Sequence, residues 1–128
     1  MKIVLDTNVL ISGLINPTGV PAKILNLILN QNIIVLYDTR IIKEYVDVLK
    51  RRKFSFTKES IDPLLDFIKY EGCFVAAEPL KISFKDEDDK MFLEVAKTGR
   101  AEYLITGNII HFPKERFIVT PREFIEKW

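Results

Sequence analysis

Ile3-Val4-Leu5 runs straight into Asp6, and after Thr7-Asn8 a second apolar run begins at Val9. A short stretch that is apolar at every position, rather than at alternate ones, specifies a strand covered on both faces. That is the condition of a parallel sheet layered between helices. Similar runs recur at Ile33-Ile34-Val35-Leu36, Phe74-Val75-Ala76, Tyr103-Leu104-Ile105-Thr106 and Phe117-Ile118-Val119. Helical stretches separate them. A short helix is expected over residues 8–14, and one over 21–29 that buries Ile24, Leu25, Ile28 and Leu29. A third starts from an Asp38 or Thr39 cap and reaches about Lys50, and a fourth runs from Thr57 or Ser60 to near Gly72. A fifth spans 87–98 and is stopped by Gly99, and Pro121 opens a terminal helix. Strand–helix alternation of this kind predicts an α/β fold with right-handed crossovers. In such sheets ligands bind beyond the carboxyl ends of the strands, where the strand order reverses. Asp6 is therefore a candidate catalytic or metal-binding acid, and the competing reading is that Asp6 or Asn8 caps the next helix.

With 128 residues, 48% hydrophobic and 29% charged, the chain fits one soluble domain spanning 1–128. A net charge of +1 gives no global attraction to nucleic acid, so such binding would depend on local patches and metal ions. The charges are clustered, with a basic run at Lys50-Arg51-Arg52-Lys53 and an acidic one at Asp86-Glu87-Asp88-Asp89. The one cysteine, Cys73, excludes a disulfide framework and is expected to pack in the core. Met1-Lys2 leads into the first strand without a secretory leader. The longest candidate for a membrane span is broken by Asn26, Asn30, Gln31 and Asn32. A cytoplasmic protein that does not engage membranes is expected.

The remaining acids are sorted by helical geometry. In the third helix Ile41, Ile42, Tyr45, Val48 and Leu49 define the apolar arc; at about 100° per residue Glu44 falls on its border. Asp89 stands three, four and seven positions before Phe92, Leu93 and Ala96, on the buried stripe, and Asp86 shares that stripe. Asp86 as a cap with Asp89 in the first turn explains acids at a helix start. It explains less well two acids on a core-facing side, where an unpaired carboxylate is costly and a divalent cation would supply the missing charge. Oxygen ligands without clustered histidine or cysteine select Mg²⁺ or Mn²⁺ over zinc. Carboxylate cages of this kind support phosphodiester hydrolysis.

The ordered set Leu5-Asp6-Thr7-Asn8-Val9-Leu10, Glu44-Tyr45, Asp86 to Glu94, Tyr103-Leu104-Ile105-Thr106-Gly107-Asn108 and Val119-Thr120-Pro121-Arg122-Glu123-Phe124 spans essentially the whole chain. It resembles the PIN-domain nucleases, in particular a subgroup described as toxin components of toxin–antitoxin pairs. The resemblance implies a three-layer α/β/α fold with a central parallel sheet of four to five strands. It implies that Asp6, Glu44 and Asp89 are the acids coordinating Mg²⁺ or Mn²⁺, with Asp86 as an auxiliary ligand. Thr7, Asn8 and Thr106 would orient ligands or water. Many family members carry a fourth acid where this chain has Asn108, a departure that removes one negative charge. The activity implied is metal-dependent cleavage of RNA, with an antitoxin protein as partner and a homodimer as the assembly.

Lys50, Arg51, Arg52 and Lys53 would guide the RNA backbone, with Phe54 or Phe56 available for base stacking; a solvated connection with core phenylalanines is the competing reading. His111 reads as a loop residue, the competing reading being a contact with a phosphate. Two rival functions remain. A haloacid-dehalogenase-like phosphotransferase would use Asp6 as nucleophile, but that chemistry wants a second acid where the chain has Asn8. A PIN-fold module that binds RNA or protein without cutting is kept open by Asn108.

Overall fold

The computed structural model describes residues 1–128. Five short strands, β1 (Lys2–Leu5), β2 (Ile34–Tyr37), β3 (Cys73–Phe74), β4 (Tyr103–Ile105) and β5 (Ile118–Val119), form one sheet in the order β3-β2-β1-β4-β5. Every pairing is parallel. Six α-helices flank it: α1 (Thr7–Ile15), α2 (Val20–Leu29), α3 (Thr39–Leu49), α4 (Lys58–Glu71), α5 (Lys90–Thr98) and α6 (Pro121–Lys127). The α/β class and the parallel sheet are those expected from the alternation of apolar runs and helical stretches.

β1 is the central strand, and Ile3, Val4 and Leu5 are fully buried, as a run without polar positions requires. The chain leaves β1 towards β2 on one side and returns with β4 on the other, so the strand order reverses at the β1–β4 pair. The Asp6 amide continues the ladder by donating to the Ile105 carbonyl at 2.9 Å, and the Thr106 amide donates to Val119 at 2.9 Å. Asp6 and Thr106 thus sit side by side just beyond two adjacent strand ends.

Helix α3 is locked to that edge by Tyr45. Its ring is completely buried and its hydroxyl donates to the Leu5 carbonyl, the residue immediately before Asp6. The helix starts from an Asp38 cap, whose carboxylate accepts from the Ile41 amide at 3.0 Å. Arg40 then bridges Asp38 at 2.7 Å and Glu94 of α5 at 2.8 Å. Glu94 is itself buried and also accepts from the Leu80 amide at 2.8 Å. Those donors hold its carboxyl below the usual glutamate range despite its burial. One acid therefore ties together α3, α5 and the long connection before the acidic run.

Several local expectations shift. Residues 87–89 form a single 3₁₀ turn, so α5 begins at Lys90 rather than Glu87. Asp86 lies outside that turn with an extended backbone (φ −126°, ψ 112°). It does not share Asp89's stripe; it is exposed, and its carboxylate caps the turn by accepting from the Asp88 amide at 3.0 Å. Cys73 is exposed rather than packed in the core, because β3 comes one residue early, at the sheet edge, and its two side chains lie outside the layers. Leu29, in the last turn of α2, is 46% exposed.

Glu94→Gln is expected to lower stability by about 1–2 kcal/mol at pH 7 in denaturant titrations, through loss of a charge-assisted pairing. Because the folded pKa is lowered, the contribution is complete above the ordinary carboxylate range and lost as pH falls through the folded value. Wild type and variant should converge at low pH; a gap that persists there would contradict this assignment.

Candidate metal centre

Asp6 occupies the N-cap position of α1, yet its side chain makes no capping hydrogen bond. Asp89 does the same at α5. The Asp6 side chain is engaged by Thr106 and that of Asp89 by His111, whereas Asp86 caps its own turn. The three acids assigned to the centre are instead each held by one donor from another element. Thr106 Oγ1 donates to Asp6 Oδ2 at 2.7 Å, Thr7 Oγ1 donates to Glu44 Oε2, and His111 Nδ1 lies 3.1 Å from Asp89 Oδ2. The other oxygen of each acid takes no side-chain donor.

Electrostatics separates this group from Glu94. Burial pushes the Asp6 carboxyl up to about 6, and the negative charges of Asp89 and Glu44 add to that, against the Thr106 hydrogen bond. Glu44 is raised by burial, then by Asp89 and Asp88, with Thr7 and Arg51 opposing. Asp89 is raised by burial and by Asp86 and Asp88, with His111 opposing. No lysine or arginine is ion-paired with any of the three. No group of three or more Asp, Glu, His or Cys side chains is arranged to hold a metal ion in this structure. The donor chemistry nonetheless fits a hard divalent cation: oxygens only, mutually repelling, and short of positive charge.

Glu44 stands between two open clefts. One, of about 500 Å³, is lined by Asp6, Thr7, Asn8, Glu44, Arg51, Phe54 and Asn108 among others. The other, of about 380 Å³, is lined by Arg40, Glu44, Asp88, Lys90 and Glu94 among others. Of the basic run, only Arg51 lines the first cleft; Lys50 closes α3, Lys53 lies 5.0 Å from the Phe54 ring centroid, and Arg52 is exposed. Phe54 and Phe56 stack on each other at 5.8 Å and pack against the core, so at least one face of each ring is occupied. Asn8 Oδ1 accepts from the Gly107 amide at 3.2 Å, latching the residues after β1 to those after β4. Asn108 is exposed in the cleft, and its backbone N–H donates to Thr106 Oγ1 at 3.0 Å.

Two residues have partners that the local sequence does not signal. His111, read as a loop residue, contacts Asp89, a partnership across 22 positions that no periodicity signals. Glu94 was not singled out; its clue is that it sits within five consecutive buried residues of α5, which a charge survives only with a partner.

A PIN-domain profile matches residues 2–110, and the chain belongs to that family. The uncharacterized protein MJ1680 of Methanocaldococcus jannaschii is 33% identical over 147 aligned positions, which cover all of this chain and 92% of that protein. Its name assigns no activity.

Without metal, Asp6 binds a proton more tightly folded (about 6) than unfolded (3.8), so stability falls as pH rises through that window. The loss approaches 3 kcal/mol if the whole shift is realised. In chelator at pH 7.5, Asp6→Asn should therefore be at least as stable as wild type in denaturant titrations, with a flatter pH dependence. A variant clearly less stable there would show that the charge is not a burden on the fold.

Proposed function

We propose that the protein is a Mg²⁺- or Mn²⁺-dependent endoribonuclease acting as the toxin of a toxin–antitoxin pair. The observation that supports it most is the trio Asp6, Glu44 and Asp89: three acids of raised pKa at the reversal point of a parallel sheet, each oriented by its own donor and none paired with lysine or arginine. These three would hold the cation, with Asp86 available only from the periphery through its charge on Asp89. When bound, the cation supplies positive charge to the phosphoryl oxygens and a lowered pKa to attacking water.

The chain's own residues do the rest. Thr106, Thr7 and His111 fix the carboxylates before substrate arrives, which limits the reorganisation required at reaction. Arg51, in the same cleft, faces the phosphate backbone as a counter-charge, and the amides of Asn8 and Asn108 offer neutral polar contacts at the mouth. With the net charge near zero, local attraction of this kind has to bring RNA to an acidic centre. The antitoxin partner and the homodimer belong to the same proposal and rest on the likeness to toxin components.

A second reading, a module that binds RNA without cutting, draws on Asn108, which places an uncharged amide in the cleft where many relatives of this fold carry an acid. The phosphotransferase reading has lost ground, since Asn8, which would have to be its second acid, is tied to the Gly107 amide.

Single-stranded RNA incubated with Mn²⁺ or Mg²⁺ separates the readings. Wild type should cut, and Asp6→Asn and Asp89→Asn should each cut at least about 100-fold more slowly. Arg51→Ala should raise KM more than it lowers kcat. RNA bound but left intact would favour the module, and equal cutting by all variants would remove the assignment of the centre.

A further inference from the structure

The segment after β4 contributes no acid to the centre, but it joins two of the three acids through four hydrogen bonds linked by the covalent frames of Asn108 and His111. From Asp6 Oδ2 the path runs through Thr106 Oγ1 at 2.7 Å to the Asn108 amide at 3.0 Å. The Asn108 carbonyl then accepts from the His111 amide at 2.9 Å, and His111 Nδ1 reaches Asp89 Oδ2 at 3.1 Å. Phe112, the next residue, is buried and meets Phe84 edge-on at 5.8 Å, which ties the same segment to the connection that carries the acidic run.

We propose that His111 is a positioning residue for Asp89: its Nδ1–H, presented by the turn that begins at Asn108, fixes the carboxylate's orientation and thereby sets the affinity of the centre for a divalent cation. The inference rests on the metal-dependent reading of the site. A carboxylate can accept only through oxygen, so Nδ1 carries the proton in this contact whether the ring is neutral or charged. With Oδ2 engaged, Asp89 offers its remaining oxygen as a ligand in a fixed direction, as Thr106 does for Asp6 and Thr7 does for Glu44. Without the imidazole, Asp89 is half-buried on a one-turn 3₁₀ segment and rotates freely about its side-chain bonds, so each binding event must order it first. The backbone of this turn and the His111 side chain thus serve the centre by bracing ligands rather than by adding charge.

The test is Mn²⁺ binding to metal-stripped protein, by calorimetry, for wild type, Asp6→Asn, His111→Ala and His111→Asn, with thermal unfolding in chelator as the control for folding. His111 is a third exposed, so metal-free stability should change little in either substitution. His111→Ala should bind Mn²⁺ about 10- to 100-fold more weakly. His111→Asn, whose amide nitrogen can occupy the place of Nδ1, should recover most of that loss. Alanine binding as tightly as wild type would overturn the proposal, and so would alanine and asparagine variants that are equally weak, since that shows a loss of shape and not of a donor. If wild type binds no Mn²⁺ the metal-centre reading itself fails; if wild type binds and Asp6→Asn does not, that reading stands and the histidine is judged separately.

Discussion

A buried carboxylate beside two others is the constraint to which the rest of this structure answers. Hydrogen bonds to such a group are worth about 1.5–3 kcal/mol each. Asp6 receives one from the Thr106 side chain, and its pKa still stands near 6. Burial and the charges of Asp89 and Glu44 therefore outweigh the donor. The fold tolerates this because the surrounding contacts leave Asp6 little freedom: its amide is in the ladder with Ile105, the preceding carbonyl is held by Tyr45, and its side chain is held by Thr106. Carboxyls raised in this way cluster at functional sites.

Glu94 shows the opposite solution within the same molecule. It is also buried, but Arg40 and the Leu80 amide answer its charge, and its pKa falls instead of rising. The two acids lie on either side of the same distinction: the charge of one is answered by an arginine and a backbone amide, while the hydrogen bonds to the other do not offset its burial. Glu44 is intermediate, half-buried between two clefts with Arg51 as a distant counter-charge.

The legibility of these features in the sequence follows from how local their causes are. The apolar runs around Val4 and Leu104 reveal strands buried on both faces, and the residues that end them, Asp6 and Thr106, are placed by that alone. Glu44 lies at the border of an apolar arc, as its spacing predicts, because α3 is a regular helix over its whole length. The acidic run was harder. Treating 86–89 as α-helical put Asp86 on the buried stripe, whereas a 3₁₀ turn preceded by an extended residue sends it outward. Cys73 lies outside the core because it belongs to a two-residue edge strand, too short for an apolar pattern to fix its register. The contacts of His111 and Arg40 depend on packing between segments far apart in the chain, and nothing in either neighbourhood announces them.

The separation of the partners also has a temporal consequence. Thr106 meets Asp6 across 100 positions, and Thr7 meets Glu44 across 37. During synthesis at about 5–20 residues per second, the amino-terminal strand and α3 are available long before β4 exists to pair with β1. A nascent chain holds Asp6 and Glu44 but lacks the strand that orients the first and the turn that braces Asp89. Such non-local pairings form late and together. Asp6, Glu44 and Asp89 therefore reach their observed arrangement only once residue 106 and the turn after it have been made, and a truncated product ending before residue 106 has the three acids without the hydroxyl that holds Asp6.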